Sequence, residues 1–271
     1  MSIPNNLTFS GAAQKYAVVT GASRGLGRAF AEELARRSIP TILVSSNHTI
    51  SELCEHLRQT YQVDSYYVVA DLTRKEEVLA AADEINAKYD VFLLINNAGL
   101  GGSQAFEATD IEYIDKIIQL NATATSLLTR ALLPNLLKQG SAYVLNVSSM
   151  AGHTPIGYKM VYPASKAFVN AFSFGLRAEF KGRGLSVSVV CPGAMATSEG
   201  IRKRIEKQGF FGKLTLVPPE KVARKCITQT FKGKREILVN PVSYFFSQLV
   251  PNCIKTPILT RIVRREVEAG Q

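Results

Sequence analysis

The sequence predicts an α/β fold: one doubly wound domain with a central parallel sheet of about seven strands and helices on both faces. Three observations predict it. Short, β-branched apolar runs alternate with longer helical patterns from Tyr16 to Val239. The runs are continuously hydrophobic, as strands covered on both faces must be. The first strand-to-helix junction is a glycine-rich turn, Thr20-Gly21-Ala22-Ser23-Arg24-Gly25-Leu26-Gly27. Strict alternation makes the strands parallel and the crossovers right-handed.

The elements follow in order. Tyr16–Thr20, Pro40–Ser45, Ser65–Ala70, Val91–Asn96, Ala142–Ser148 and Leu185–Cys191 read as buried strands bounded by turn residues. Helical stretches lie between them, near 25–38, 50–61, 74–88, 110–138 and 160–181. A seventh strand, Glu236–Val239, follows a helix that starts near Pro218–Pro219, where proline suits the first turn. With no repeat, low-complexity tract or linker, 1–240 reads as one domain. The segment 241–271 then turns apolar and basic, and Pro251 and Pro257 divide it into two short amphipathic helices capping that domain.

The chain's 271 residues, 46% hydrophobic and 20% charged, suffice for one large core. No apolar run approaches the ~20 residues needed to span a bilayer. The first residues lack the basic start and apolar stretch of a signal peptide, which predicts a cytoplasmic setting. Cys54, Cys191, Cys226 and Cys253 are far apart and form no C-x-x-C, so their spacing predicts neither a zinc site nor a disulfide framework. The net charge of +10 is unevenly placed: from Gly200 onward there are fifteen Lys/Arg against five Asp/Glu, and the preceding residues balance. Such a basic end suits anionic substrates or an anionic membrane surface, or is a solvated face. No aromatic-interleaved basic motif points to nucleic acid.

Two features carry chemistry. The glycine turn lets the backbone approach a pyrophosphate, which then meets the free N–H groups of the following helix; this predicts a dinucleotide site. Tyr162 and Lys166 stand four residues apart, about one helical turn, so both leave the same helix face. A cation about 4 Å from a phenol, at an effective dielectric of ~20, is worth roughly 4 kcal/mol. That is about three pKa units, enough to bring a group that titrates near ~10 toward neutrality. Ser149 lies thirteen residues before the tyrosine, with Ser148 beside it as a competitor.

The order and spacing of these motifs resemble the short-chain dehydrogenase/reductase family. The resemblance runs from T-G-A-S-R-G-L-G through Asp71-Leu72, Asn96-Asn97-Ala98-Gly99, Asn121, Ser149, Tyr162/Lys166 and Cys191-Pro192-Gly193 to Thr197, about two-thirds of the chain. It implies a Rossmann fold and a hydride exchanged between a nicotinamide and a carbonyl or secondary alcohol. Tyr162 would be the proton donor in reduction, Lys166 would lower its pKa and hold the nicotinamide ribose, and Ser149 would bind the substrate oxygen. Asn121 is similar to the residue that holds a water in the family's proton relay. Gly21, Ser23, Arg24, Gly25, Leu26 and Gly27 would surround the phosphates, and Ser45 and Ser46 the adenosine ribose. Asp71 and Leu72 would take the adenine side, although Asp71 also reads as a strand-end cap. Asn97, Ala98 and Gly99, with Pro192, Gly193 and Thr197, would line the nicotinamide side. The second strand ends without an acid and Arg24 sits in the glycine loop, so NADP(H) is expected over NAD(H).

The segment 198–217, with Phe210 and Phe211, falls where the family has its substrate lid, and with Met150–Met160 it predicts an apolar pocket wall. The tail is similar to a branch of ketoacyl, ketosphinganine and hydroxysteroid reductases, which implies a hydrophobic ketone. A homodimer or homotetramer is expected from the same resemblance, and the basic tail admits peripheral membrane contact. Cys191 reads as a buried strand residue, and His153 as a surface one. The contrasting hypothesis is a non-catalytic NADP-binding sensor or scaffold, which would have no need of the proton-handling residues.

Overall fold

A computed structural model describes residues 14–159, 161–193, 217–240, 244 and 249–269. Seven parallel strands form one sheet in the order β3-β2-β1-β4-β5-β6-β7. They are β1 Lys15–Thr20, β2 Thr41–Ser45, β3 Ser65–Val69, β4 Asp90–Asn96, β5 Ala142–Val147, β6 Leu185–Val190 and β7 Glu236–Ile237. The order reverses between β1 and β4, which pair in register from Ala17–Leu93 to Val19–Ile95. At that switch point the two crossovers leave on opposite faces and open a crevice beyond the strands' carboxyl ends.

The alternation of strand side chains divides the core in two. On one face Ala17, Val19, Leu43 and Ile95 meet α1 (Gly25–Arg36), α2 (Ile50–Tyr61) and α7 (Pro219–Phe231). On the other, Val18, Val44, Leu94 and Val144 meet α3 (Lys75–Lys88) and α5 (Ala124–Lys138). There α6 (Val161–Glu179) buries Val169 against Val189 and Cys191. Phe30 of α1 is among the largest fully buried side chains, an anchor worth about 3–5 kcal/mol against truncation to alanine.

Three expectations are corrected. β3 is an edge strand, not a doubly buried one: Tyr66 and Tyr67 are 39% and 44% exposed. The predicted helix 110–138 is unbroken but not α-helical throughout. It divides into α4 (Ile111–Ile118), a π turn (Gln119–Thr123) and α5. In the tail, Asn252–Glu268 forms one helix, α8, that continues through Pro257. That proline forgoes one bond, to the Cys253 carbonyl, and its own side chain is exposed.

Candidate active site

The carboxyl ends of β1, β4, β5 and β6 carry the predicted site residues into the crevice. At β1, Gly21 has φ +64°, and a Cβ there would come within 2.8 Å of the Ala98 Cα. A Cβ on Gly27 would collide with the Gly21 carbonyl oxygen, so glycine at both positions lets loop, helix and β4 end touch. Arg24 sits at the N-cap of α1 without a side-chain cap bond, and its side chain is exposed. The first-turn N–H groups of α1 have no intrahelical partner and receive no cap from Arg24, which fits the pyrophosphate of a dinucleotide.

Asn97 joins the glycine loop to the end of β4. Its Nδ2 donates to the carbonyls of Thr20 (2.9 Å) and Gly21 (3.2 Å), while the Thr20 hydroxyl accepts from the N–H groups of Asn97 and Ala98 (both 3.0 Å). Asp71 Oδ1 accepts from the Thr73 N–H (3.0 Å) and hydroxyl (2.8 Å), and Leu72 is buried. At the end of β2, Ser45 is buried and accepts from the Asn47 N–H (3.1 Å), whereas Ser46 is exposed.

The two serines after β5 part company. The Ser148 hydroxyl is buried and donates to the Lys166 carbonyl (2.9 Å), a structural bond. Ser149 accepts from the Ala151 N–H (3.1 Å) at the start of a 3-10 turn, Met150–His153, and acts on the Tyr162 phenol. Burial raises the Tyr162 pKa above its ordinary value, opposed only by the hydrogen bond from Ser149. Lys166 Nζ lies 5.9 Å from the tyrosine ring centroid and donates to the Val147 carbonyl (2.9 Å). Burial depresses Lys166 itself to about 8.

Asn121 stands in the π turn, fully enclosed. Its Oδ1 accepts from the Leu100 N–H (2.8 Å), and its Nδ2 donates to the Leu100 carbonyl (2.9 Å) and to Ser165 Oγ (2.9 Å). Both side-chain ends are thus engaged by protein, holding the segment after Gly99 in place. A Cβ on Gly99 would lie 3.2 Å from both Asn121 Oδ1 and Lys166 Nζ, and one on Gly101 would strike the Tyr162 ring at 2.8 Å. Pro192 and Gly193 sit beside this group, with the Pro192 carbonyl accepting from the Met150 N–H (3.0 Å). Thr197, Met160, Phe210, Phe211 and all of the expected lid except Val217 lie outside the described residues.

Several neighbours were not foreseen. A shallow cleft opens beside Tyr162, with Phe106, Tyr113, Ile117, Tyr158 and Val161 among its walls. Tyr158 adopts φ +62°, a left-handed conformation uncommon for a bulky residue. Beneath the site Asn96 Nδ2 donates to Thr129 Oγ1 (2.9 Å) and Asn146 Oδ1 (2.8 Å), and Asn146 passes the chain on to Ser173 (2.8 Å). His153 is not a surface residue; it packs against Cys191 and Glu236 with its side chain 12% exposed.

A family model described as short chain dehydrogenase matches residues 15–208. A very-long-chain 3-oxoacyl-CoA reductase of Anas platyrhynchos is 36% identical over 203 residues, 72% of this chain and 63% of that protein. The match therefore spans less than two-thirds of that relative's length. An inactive hydroxysteroid dehydrogenase-like protein 1 of Pongo abelii is 29% identical over 262 residues, 93% of this chain and 78% of that protein. A solved structure, a short-chain dehydrogenase from Sphingobium yanoikuyae in complex with NADPH, is similar at a TM-score of 0.75 and 26% identity. It covers 87% of this chain and 92% of its own.

Proposed function

The chain belongs to the short-chain dehydrogenase family, and on that premise we propose that it is an NADPH-dependent reductase of a hydrophobic, lipid-like ketone. The observation that carries this reading is the convergence of Ser149, Tyr162 and buried Lys166 at the mouth of an aromatic-walled cleft. NADPH, when bound, would supply the hydride for reduction of the carbonyl. Tyr162 supplies the proton: burial keeps its phenol protonated at neutral pH, so it donates to the carbonyl oxygen as that oxygen gains charge. The Ser149 hydroxyl holds the same oxygen. The proton's departure leaves a phenolate, and the Lys166 ammonium, 5.9 Å from the ring centroid, favours that charge. Lys166 thus acts on the anion that forms, and its remaining N–H donors are available to the nicotinamide ribose. Asn121 holds the 99–102 segment against Tyr162.

For the cofactor, Gly21, Ser23, Arg24, Gly25, Leu26 and Gly27 are assigned to the phosphates, Ser45 and Ser46 to the ribose, and Asp71 and Leu72 to the adenine side. Asn97, Ala98, Gly99, Pro192, Gly193 and Thr197 are assigned to the nicotinamide side. The exposed Arg24 beside a strand end without an acid supports NADPH over NADH. The relative named a very-long-chain 3-oxoacyl-CoA reductase supports an acyl thioester as the first ketone to try. The sensor or scaffold reading draws on the relative named inactive, but the assembled proton-handling groups favour catalysis. A screen of NADPH oxidation against 3-oxoacyl-CoA, steroid and sphingoid ketones tests the proposal. Turnover of at least one class is expected; tight NADPH binding with no turnover of any would move the reading to a sensor.

Membrane contact is proposed through α8, where Ile254, Ile258 and Ile262 form an exposed i, i+4, i+8 stripe bordered by Lys255, Arg261 and Arg265. Among the described residues no helix is long and apolar enough to cross a membrane. Co-sedimentation with anionic but not neutral liposomes is expected, and equal binding to both would reject the electrostatic part. Exposed Ile111, Ile118 and Phe168 on α4 and α6 support a homodimer or homotetramer, which light scattering tests; a monomer would reject it.

A further inference from the structure

Behind the Ser149 turn, three side chains that the proton chemistry does not use meet at their ligand atoms. His153 Nε2 lies 3.3 Å from Cys191 Sγ and 3.4 Å from Glu236 Oε1, and Cys191 Sγ lies 3.8 Å from Glu236 Oε1. We propose that His153 Nε2, Cys191 Sγ and Glu236 Oε1 bind one zinc-class divalent cation. A tetrahedral zinc with ligand bonds of ~2.0–2.3 Å sets its ligand atoms ~3.3–3.6 Å apart, close to the separations found here. The alternative, a nucleophilic relay, has the wrong geometry. In a Cys–His–acid relay the thiol and the acid address opposite ring nitrogens. Here both address Nε2, as ligands sharing one ion do. A thiolate, an imidazole and a carboxylate together suit zinc better than magnesium or calcium, which favour oxygen.

The surroundings have the character of an outer shell. The Tyr244 hydroxyl donates to Glu236 Oε2 (2.8 Å), which turns Oε1 toward the site. Asn170 Oδ1 lies 3.5 Å from Cys191 Sγ and is placed to complete the coordination, directly or through a water. Among the described residues the buried Asn170 Nδ2 has no hydrogen-bond partner. His153 and Glu236 keep side-chain exposures of 12% and 11%, which leaves an entry path, while Cys191 is enclosed. The ligands come from the turn after β5, the end of β6 and β7. One cation would brace the Ser149 turn against the Pro192-Gly193 segment. The wide spacing along the chain is why the cysteine pattern gave no hint of it.

The test uses the full chain, reduced, stripped with a chelator and titrated with Co²⁺ alone. The proposal predicts one Co²⁺ per chain, a saturable thiolate-to-cobalt absorption band displaced by Zn²⁺, and a higher Tm with metal. Cys191→Ser should abolish the band, whereas Cys253→Ser, at the exposed thiol, should keep it. Glu236→Gln should weaken Co²⁺ binding at least tenfold, and it decides the matter should Cys191→Ser fail to fold. No band in the folded chain, a band surviving Cys191→Ser or lost in Cys253→Ser, or unchanged affinity in Glu236→Gln would overturn the proposal.

Discussion

Replacing Lys166 with methionine separates the cost of burying a charge from its use. Burial depresses the lysine from 10.5 to about 8, so the folded chain holds that proton less tightly than the unfolded chain. Stability therefore rises with pH between those two values, and the penalty is fully present below about 8. A depression of this size costs the folded state roughly 3 kcal/mol at pH 7. Methionine removes the charge but leaves the Val147 carbonyl without its donor, a loss of about 1–3 kcal/mol. At pH 7 the Lys166→Met protein should then range from equal in stability to about 2 kcal/mol more stable, although inactive. The sharper expectation is the pH dependence. From pH 7 to pH 10 the wild type should gain about 2–3 kcal/mol on the variant, since only the wild type sheds this penalty. Urea denaturation of both cofactor-free proteins in chelator, at four or five pH values, reads it directly. A stability difference that stays flat across this range would refute the burial argument.

Two further outcomes test other parts. Arg24→Glu should lower kcat/KM for NADPH by about 30- to 100-fold, the worth of a charge-assisted phosphate contact, with NADH affected less than about threefold; equal losses would remove Arg24 from the 2′-phosphate. Phe30→Ala should destabilise the fold by about 3–5 kcal/mol in urea denaturation, from lost burial and an unfilled cavity, and a cost below about 1 kcal/mol would mean that α1 does not anchor the sheet as described.

The sequence was most legible where one physical signal suffices. Continuous apolar runs marked the strands, and Gly21 and Gly27 marked the loop because nothing larger fits there. Edge and centre were not distinguishable, since Tyr66 and Tyr67 look apolar in either place. The π turn at Asn121 was invisible because one extra residue in a helical turn barely disturbs the hydrophobic pattern. Ser148 and Ser149 could be told apart only by direction, one hydroxyl toward the Lys166 carbonyl and the other toward the Tyr162 phenol. Phe106, Tyr113 and Tyr158 converge on the cleft from separate loops and helices, as do His153, Cys191 and Glu236 on theirs. Such convergence is a property of the tertiary fold, and no local spacing encodes it. The burial of Tyr162 and Lys166 was hidden for a related reason: charge proximity follows from helix geometry, whereas desolvation depends on everything packed around the pair.

The most direct test of the proposed reduction is Tyr162→Phe, assayed by NADPH oxidation with whichever ketone the wild type accepts and by NADPH binding in parallel. Removing one hydroxyl leaves the ring packed against Gly101 and Lys166 in place but takes away the proton. Turnover should fall by about 10²- to 10⁴-fold, with NADPH affinity changed less than about threefold. A variant that turns over at the wild-type rate would contradict the account.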